Sequence, residues 1–306
     1  MDGLGKSGLT RRDFLKRLGF GAATATAACM LPGAALASET ASGPTWGMLI
    51  DLSRCSGCNS CALACQEANN PHVAEIAPKA LAPDAYTCVE TYQVVNTQRQ
   101  VVARYVKRQC MHCLDAACVS ACPAAAMYNS GEGPVIYRSN RCLGCRYCEV
   151  ACPFGIPRFN WDNSITPTIN KCWMCWDRLK AGEEPACAGA CPTGAIHFGR
   201  REDLLAQAHA RISTNPDMYI DHVYGESEVG GTSMLYISDA PFEKLGFAMN
   251  LPTIAPPEQT KKILYKLPYV IGGMAALMTG TALYTHRKPA VHAEVKPALP
   301  QDGEEK

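Results

Sequence analysis

Cysteines are the residues of this chain whose number and spacing most clearly indicate chemistry. The chain has 18 cysteines, and all except Cys29 and Cys88 fall into four groups. Three of the groups end in a Cys-Pro pair. Four thiols are what one cubane iron–sulfur cluster, or one structural zinc ion, requires. The groups are Cys55, Cys58, Cys61 and Cys65; Cys110, Cys113, Cys118 and Cys122; Cys142, Cys145, Cys148 and Cys152; and Cys172, Cys175, Cys187 and Cys191.

The spacing within the groups favours iron–sulfur clusters. The third group follows the bacterial run C-x2-C-x2-C-x3-C-P, whose fourth cysteine ligates the neighbouring cluster when two clusters share a module. The first group keeps this spacing but is followed by Gln66, the second widens one gap to x4, and the fourth widens it to x11. Three thiolates on a tight loop can each bind a different iron, and the proline then turns the chain off its helix. We therefore predict four [4Fe-4S] clusters.

Structural zinc and disulfides are the alternative uses of so many cysteines. Zinc knuckles come as C-x2-4-C pairs, which give no reason for a third cysteine or a closing Cys-Pro. Disulfide scaffolds are typically small, and C-x2-C spacing is poor for bridging distant elements. Cys88 lies outside every group and is predicted to be a bystander thiol.

Length and composition allow a substantial hydrophobic core. The chain has 306 residues, is 47% hydrophobic and carries a formal net charge of +1, which gives no nucleic-acid-binding signature. No dinucleotide-binding loop follows a predicted strand, and there is no HExxH motif. The function must therefore come from the groups that the cysteines bind.

The start of the chain predicts export. Residues 10–16 read Thr-Arg-Arg-Asp-Phe-Leu-Lys, which resembles a twin-arginine motif, and an apolar stretch then leads to a small-residue site at residues 35–37. We predict a signal peptide at residues 1–37, cleaved after Ala37; the alternative is a cytoplasmic start with a chance pair of arginines. The twin-arginine route carries folded cargo, so we expect clusters to be inserted before the thiols meet an oxidising compartment.

The other end of the chain predicts a membrane anchor. Residues 267–284 are apolar and uncharged, and basic residues flank them on both sides. At about 1.5 Å per residue, such a helix just spans a hydrocarbon core of about 30 Å. We predict a transmembrane helix at residues 263–286, a linker at 252–260 and a cytoplasmic tail at 287–306. The alternative is a buried helix of a soluble domain.

Hydrophobic patterning between these ends predicts an α+β domain. Strand-like runs at residues 46–51, 101–106, 134–137 and 195–198 lead into or follow the cysteine loops, and another covers 233–237. From Arg201 the pattern becomes helical, with Leu204, Leu205, Ala208 and Ile212 on one face. We predict a cluster domain at residues 45–200 and a C-terminal extension at 201–262.

Charged side chains next to the cysteines have two interpretations. They could raise the reduction potential of a nearby cluster, or they could be solvated charges on loops. The residues concerned are His112, Arg141, Arg146 and Lys171.

Together these features resemble the four-cluster iron–sulfur subunits of membrane-bound periplasmic oxidoreductases. The resemblance rests on the cysteine groups, the twin-arginine start, the C-terminal span, Gln-Cys-Met-His-Cys at residues 109–113, and residues 222–226 with 230–232. It covers essentially the whole chain and is greatest to hydrogenase-2 electron-transfer subunits. Formate dehydrogenase β subunits and dimethyl sulfoxide reductase iron–sulfur subunits are near relatives. Residues 172–178 and 191–196 would fit a formate dehydrogenase subunit equally well.

The resemblance implies two bacterial-ferredoxin-like modules, one from the outer groups (first and fourth) and one from the inner groups (second and third), with insertions. The implied ligand sets are Cys55, Cys58 and Cys61 with Cys191; Cys172, Cys175 and Cys187 with Cys65; Cys110, Cys113 and Cys118 with Cys152; and Cys142, Cys145 and Cys148 with Cys122.

The resemblance also implies a function and partners. The chain would relay electrons between a periplasmic catalytic subunit and a quinone-reactive integral membrane subunit, without being an enzyme itself. The implied catalytic partner is a NiFe hydrogenase, or alternatively a molybdenum or tungsten formate dehydrogenase. The implied location is the inner membrane, with the clusters on the periplasmic side.

Overall fold

A three-stranded sheet lies at the centre of the cysteine-rich part of the chain. The structure, a computed structural model, describes residues 45–69, 77–162 and 168–286. Strand β1 (Trp46–Asp51) is the middle strand, antiparallel to β8 (Ile196–Arg200) on one side and parallel to β9 (Met234–Ile237) on the other. The sheet therefore joins the strand before the first cysteine group to the strand after the last.

The two faces of this sheet bury different partners. Met48 and Ile50 on β1 face the core that holds Cys61 and Cys187, whereas Leu49 faces the opposite way. Helix α6 (Arg201–Thr214) packs on that second face through Leu204, Ala208 and Ile212. Side chains alternate across a strand, so β1 supports the cysteine loops on one face and a covering helix on the other. Leu205, predicted on the same face of α6, packs only partly buried against this cluster.

Three two-stranded antiparallel pairs lie between β1 and β8 in the sequence. The long antiparallel pair β2 (Cys88–Val95) and β3 (Val101–Arg108) precedes the second cysteine group. The short pairs are β4 (Met127–Asn129) with β5 (Val135–Tyr137), and β6 (Arg158–Phe159) with β7 (Ile169–Asn170). The predicted strand positions are confirmed to within two residues, while β2 was not predicted.

Short helices contain or directly follow cysteines of each group. They are α1 (Ser60–Asn69), α2 (Ala117–Ser120), α3 (Tyr147–Ala151), α4 (Trp176–Lys180) and α5 (Ala186–Gly189). Helix α1 of the first group packs against α5 of the fourth, and α2 of the second group packs against α3 of the third. The outer groups are thus in contact with each other, and so are the inner groups.

The C-terminal part of this unit completes the core. Strand β9 belongs to the central sheet, and the aromatic rings of Tyr224, Tyr236, Phe242 and Phe247 pack against one another beneath it. Short 3-10 helices occur at Ser139–Arg141, Glu228–Gly230 and Phe242–Leu245. The described residues up to Thr260 form one compact unit, so residues 201–260 of the predicted extension share the unit of the cysteine groups.

The described residues from Lys261 onward belong to a second unit and are helical. Helix α7 (Pro256–Leu264) and helix α8 (Leu267–His286) follow each other closely, and residues Pro256–Thr285 are long and apolar enough to cross a membrane. Within the predicted linker at 252–260, α7 begins at two prolines; proline suits the first turn of a helix, where its missing N–H is not needed. Residues 1–37 and 287–306, the predicted signal peptide and tail, lie outside the described residues.

Candidate metal centres

The loop after the first cysteine of each group has the same backbone conformation in all four groups. The second residue after that cysteine has a positive φ: 72° at Gly57, 48° at His112, 69° at Gly144 and 58° at Met174. The N–H of Gly144 points at the Cys142 sulfur (3.4 Å), and that of Met174 at the Cys172 sulfur (3.3 Å). The four groups are therefore versions of one sulfur-binding loop, although His112 and Met174 adopt a conformation that costs a residue with a side chain energy.

The three Cys-Pro pairs also share one turn. The third residue after the cysteine has a positive φ: 50° at Ala125, 59° at Gly155 and 58° at Gly194. Each of these residues donates its N–H to the carbonyl of its own cysteine, at 3.3 Å from Ala125, 3.0 Å from Gly155 and 3.3 Å from Gly194. The proline thus ends the helix in a tight turn, as the sequence predicted.

Four cysteines from the two ends of the cysteine region surround one cavity. This first set is Cys55, Cys58, Cys61 and Cys191. Cys55 and Cys58 come from the loop after β1, Cys61 from α1, and Cys191 from the segment before β8. Because β1 and β8 are neighbours, the sheet brings Cys191 to a loop that is distant in sequence.

A second cavity lies beside the first. The second set is Cys65, Cys172, Cys175 and Cys187. Cys65 lies one turn of α1 beyond Cys61, so this helix contributes one cysteine to each cavity. The Trp173 indole donates to Asn69 Oδ1 (2.8 Å), and Asn69 Nδ2 lies 3.6 Å from the Cys175 sulfur and 3.7 Å from the Cys65 sulfur.

The inner groups form two further sets. Cys110, Cys118 and Cys152 are the electrostatic neighbours of Cys113, which makes the third set Cys110, Cys113, Cys118 and Cys152. In the same way, Cys122, Cys142 and Cys145 surround Cys148, which makes the fourth set Cys122, Cys142, Cys145 and Cys148. The cysteines of each ligand set that the resemblance implied thus lie near one another, and their assignment as ligand sets stays a prediction.

The four sets follow one another in order. Cysteines of neighbouring sets interact electrostatically: Cys61 with Cys187, Cys172 with Cys110, and Cys118 with Cys148. Among the described cysteines, only Cys58 of the first set and Cys145 of the fourth are exposed. The arrangement is a row with accessible sulfur at its two ends.

Each set offers four thiols, which is the donor set of a cubane iron–sulfur cluster. Zinc needs all its ligands at about 2.0–2.3 Å from a single centre, whereas each thiolate of a cubane site binds a separate iron. Cys88 is buried on β2 and joins none of the sets.

Comparisons with known proteins agree with this chemistry. A family model described as a 4Fe-4S dicluster domain matches residues 101–201. The hydrogenase-2 operon protein HybA of Escherichia coli O157:H7 is 32% identical over 315 residues, which cover 88% of this chain and 95% of that protein. The chain belongs to the HybA family. The family places it among iron–sulfur electron-transfer subunits, which are not catalytic enzymes by themselves, and this confirms the predicted class of function.

Two other relatives of this HybA-family chain define the range of similarity. A protein of Nitratidesulfovibrio vulgaris is 42% identical over 300 residues, covering 94% of this chain and 80% of its own length. The iron–sulfur subunit of nitrate-inducible formate dehydrogenase of Escherichia coli is 39% identical over 202 residues, covering 62% of this chain and 66% of its own length. The domain is of the ferredoxin type, with mixed α and β content.

Burial makes the thiols of this HybA-family chain poor anions unless a cation compensates them. It raises the pKa of Cys61 to about 11 and that of Cys65 to about 12, although the nearby Lys107 acts in the opposite direction. Burial likewise raises the pKa of Cys118 to about 12 and that of Cys148 to about 11. Iron binding supplies the missing positive charge, so folding, metal binding and thiol deprotonation are coupled.

The charged residues singled out in the sequence have different environments. Arg141 is exposed, and Arg146 stacks over Trp161 (4.5 Å) and Phe159 (5.3 Å). Burial, followed by the charges of Lys171 and Lys107, holds the pKa of His112 well below its usual value, so this imidazole is neutral. Its Nδ1 accepts the N–H of Val135 (2.9 Å), which assigns the ring proton to Nε2. Lys171, by contrast, is a fully buried ammonium.

Sequence reasoning missed Lys107. This residue lies at the end of β3, is only 2% exposed and lines both the first and the second cavity. Burial alone would lower its pKa, but the thiolates of Cys187, Cys61 and Cys172 raise it overall. The signal available in the sequence was a lysine three residues before Cys110, in a strand of mainly apolar residues.

Gly57 provides a test of the loop geometry. An added Cβ would overlap the Tyr105 ring, so Gly57→Ala is expected to displace the loop that carries Cys55 and Cys58. We expect up to one cluster's share of the iron to be lost and the free energy of unfolding to fall by about 1–3 kcal/mol. Iron analysis and thermal unfolding measure both effects.

Gly182→Ala is the matched control for this change. Gly182 has a similar φ of +79°, but a Cβ there would meet no atom within 4 Å. The Gly182→Ala substitution should cause some backbone strain without any loss of iron. Equal iron contents in the two variants would show that the close approach of Tyr105 does not shape the cysteine loop.

Proposed function

We propose that the chain is the electron-transfer subunit of a membrane-bound complex and carries four [4Fe-4S] clusters. It would relay electrons between a periplasmic catalytic subunit and a quinone-reactive integral membrane subunit. The observation that carries the proposal is the row of four cysteine sets, each with four sulfurs, ending in the exposed Cys58 and Cys145. Redox groups that must exchange electrons with other proteins have to be approachable at the ends of such a row.

The four sets are the proposed cluster ligands. When bound, each cluster would supply a one-electron couple whose potential depends on charge, hydrogen bonds to sulfur and exposure. The protein holds the thiolates in place, donates backbone N–H groups to sulfur, and buries the second and third sets among apolar side chains such as Met48 and Met174. Burial there keeps water away from the middle of the row.

The sets also support the proposed two-module architecture. Helix α1 packs on α5, and both carry cysteines of the outer groups. Helix α2 packs on α3, and both carry cysteines of the inner groups, with Cys118 and Cys148 in one buried cluster. Each module would hold two clusters that exchange their fourth ligands, as in bacterial two-cluster ferredoxins.

A NiFe hydrogenase is the proposed catalytic partner. The similarity to the hydrogenase-2 protein covers 88% of this chain and 95% of that relative, whereas the similarity to the formate dehydrogenase subunit covers 62% and 66%. The parts of this chain that match the hydrogenase-2 protein but not the formate dehydrogenase subunit therefore favour a hydrogenase partner. A formate dehydrogenase partner is the second candidate, supported by the higher identity of 39% within the shared region. Nickel in the purified complex would support the first, and molybdenum or tungsten the second.

We also propose a location and a domain plan. The signal peptide at residues 1–37 would direct export, and the helix at 263–286 would anchor the chain in the inner membrane. The cluster domain at 45–200 and the extension at 201–262 would lie in the periplasm, and the tail at 287–306 in the cytoplasm. The apolar stretch in Pro256–Thr285, none of which is buried, supports this plan.

Metal and sulfide analysis of the purified full-length chain tests the proposal. Four [4Fe-4S] clusters correspond to about sixteen irons and about sixteen acid-labile sulfides per chain. We expect these values and an electron paramagnetic resonance signal on reduction. Zinc in place of iron, or about eight irons per chain, would contradict the four-cluster relay.

A further inference from the structure

Two lysine side chains are buried in the middle of the row of cysteine sets. Lys107 is 2% exposed and Lys171 is 3% exposed. Burying an ammonium group is costly unless negative charge or hydrogen-bond acceptors compensate it. Their placement therefore requires an explanation in terms of what surrounds them.

Lys107 is held in position by a ring of hydrogen bonds. Its Nζ donates to Gln109 Oε1 (2.9 Å), Gln109 Nε2 donates to the Tyr236 hydroxyl (2.8 Å), and that hydroxyl donates to the Lys107 carbonyl (2.9 Å). All three residues are buried. The ring fixes the ammonium at the wall shared by the first and second cavities, next to Cys61 and Cys187.

Lys171 is fixed in a similar way one step along the row. Its Nζ donates to the carbonyls of Val135 (2.5 Å) and Cys172 (3.0 Å). Its nearest negative groups are the sulfurs of Cys110 and Cys118 in the third set and Cys172 in the second. Lys171 thus lies between the second and third sets.

Neither ammonium has a carboxylate among its partners in the described part of the chain. Other buried charges in this protein pair with a side chain of opposite charge: Asp51 with Arg211, and Asp239 with Arg104. The negative groups that face Lys107 and Lys171 are cysteine sulfurs. The charge that balances these lysines is therefore the charge of the metal centres.

We propose that Lys107 and Lys171 are fixed positive charges that raise the reduction potentials of the clusters they separate. The inference rests on the proposed function. Lys107 would act on the first and second clusters, and Lys171 on the second and third. The reduction potential of the second cluster, which both lysines flank, would be raised most. The reduction potential of the fourth cluster would be raised least, because neither lysine faces its cysteine set.

The physical reason is the charge of the added electron. A reduced cluster is one unit more negative than an oxidised one, so a cation at short range stabilises the reduced form. Solvent ions screen this attraction only weakly, because both lysines are buried. Gln109 and Tyr236 are positioning residues, since they act by holding Lys107.

Neutral replacements test the proposal. Lys107→Met and Lys171→Met keep the length of the side chain and remove its charge. We expect each variant to lower the reduction equilibrium constant of its two flanking clusters at least about tenfold, or about 59 mV for a one-electron couple. Redox titration of the full-length protein, followed by electron paramagnetic resonance, measures the four couples. The fourth couple is the internal reference.

Lys180→Met is the matched control. Lys180 lies on α4 in the fourth cysteine group, but its side chain is 55% exposed and pairs with Asp177. Solvent should screen this charge, so the same chemical change should leave all four potentials in place. Lys107→Arg and Lys171→Arg keep the charge and should restore the shifted potentials.

The outcomes separate this inference from the proposed function. Full iron content with unmoved potentials in both Met variants would overturn the role of the lysines while leaving the relay intact. Equal shifts of all four couples would overturn it as well, because a general loosening of the fold has no preferred position. If a Met variant loses iron, the corresponding Lys→Gln variant, which keeps a hydrogen-bond donor, is titrated with the same expectation. Fewer than four couples in the unchanged protein would contradict the proposed function itself.

Discussion

Replacing Cys191 with serine is expected to remove about one quarter of the iron and to loosen the start of the fold. Cys191 shares a cavity with Cys55, Cys58 and Cys61, and the strand that follows it pairs with β1. A cluster in the first set would therefore connect two distant segments, and its loss would release both. Losing a structural metal site commonly costs several kcal/mol of the free energy of unfolding.

The measurements are iron per chain, thermal unfolding and proteolytic cleavage near residues 52–59. Cys88→Ser is the matched control, because Cys88 is also buried but belongs to none of the sets. Burial raises the pKa of the Cys88 thiol to about 11, as expected for a packed thiol, and its replacement should leave the iron content unchanged. Full iron and unchanged unfolding in Cys191→Ser would refute the pairing of the outer groups.

Ending the chain after Thr260 is expected to move the protein from the membrane to the soluble fraction with its iron retained. The change removes α8, whose exposed Tyr269, Ile271 and Leu277 form an apolar surface. The cysteine sets and their sheet all lie in the compact unit that ends at Thr260, so the clusters should remain. Burial of such a helix in lipid is the only anchor proposed for this chain.

A shorter truncation separates the helix from the tail. Ending the chain after His286 removes only residues 287–306 and should leave the protein in the membrane fraction. Cell fractionation, with iron analysis of each fraction, compares the two. If the chain ending at Thr260 stays in the membrane fraction, the anchor lies elsewhere, for instance in a partner subunit.

The cysteine sites were predictable because their information is local. Spacing within each group predicted the loop, and Pro153 and Pro192 predicted the turn that follows it. Strand β1 was predictable at its bounds, because apolar residues run through Trp46–Asp51. The spacing within a group does not show which cysteine of another group completes each site. That depends on which strands and helices pack together.

Lys107 shows where such reasoning fails. A lysine near the end of a strand usually lies in solvent, and the apolar residues around Lys107 and its position before Cys110 are a weak signal of burial. Its burial comes from Tyr236 and Gln109, the first of which lies on a strand far along the chain. Helix α7 was not predicted for a different reason, because Pro256 and Pro257 can begin a helix as well as interrupt one.

The position of Cys191 determines when the first cysteine set can be completed during synthesis of the chain. A ribosome exposes Cys55, Cys58 and Cys61 early, yet their fourth partner emerges only after every other cysteine of the four groups has been synthesised. The third and fourth sets are complete once Cys152 has emerged. Clusters would therefore be inserted from the inner sites outward, and the chain could not mature until almost two thirds of it had been translated. If residues 1–37 are the proposed export signal, export would have to wait until Cys191 has been synthesised and the clusters have been inserted.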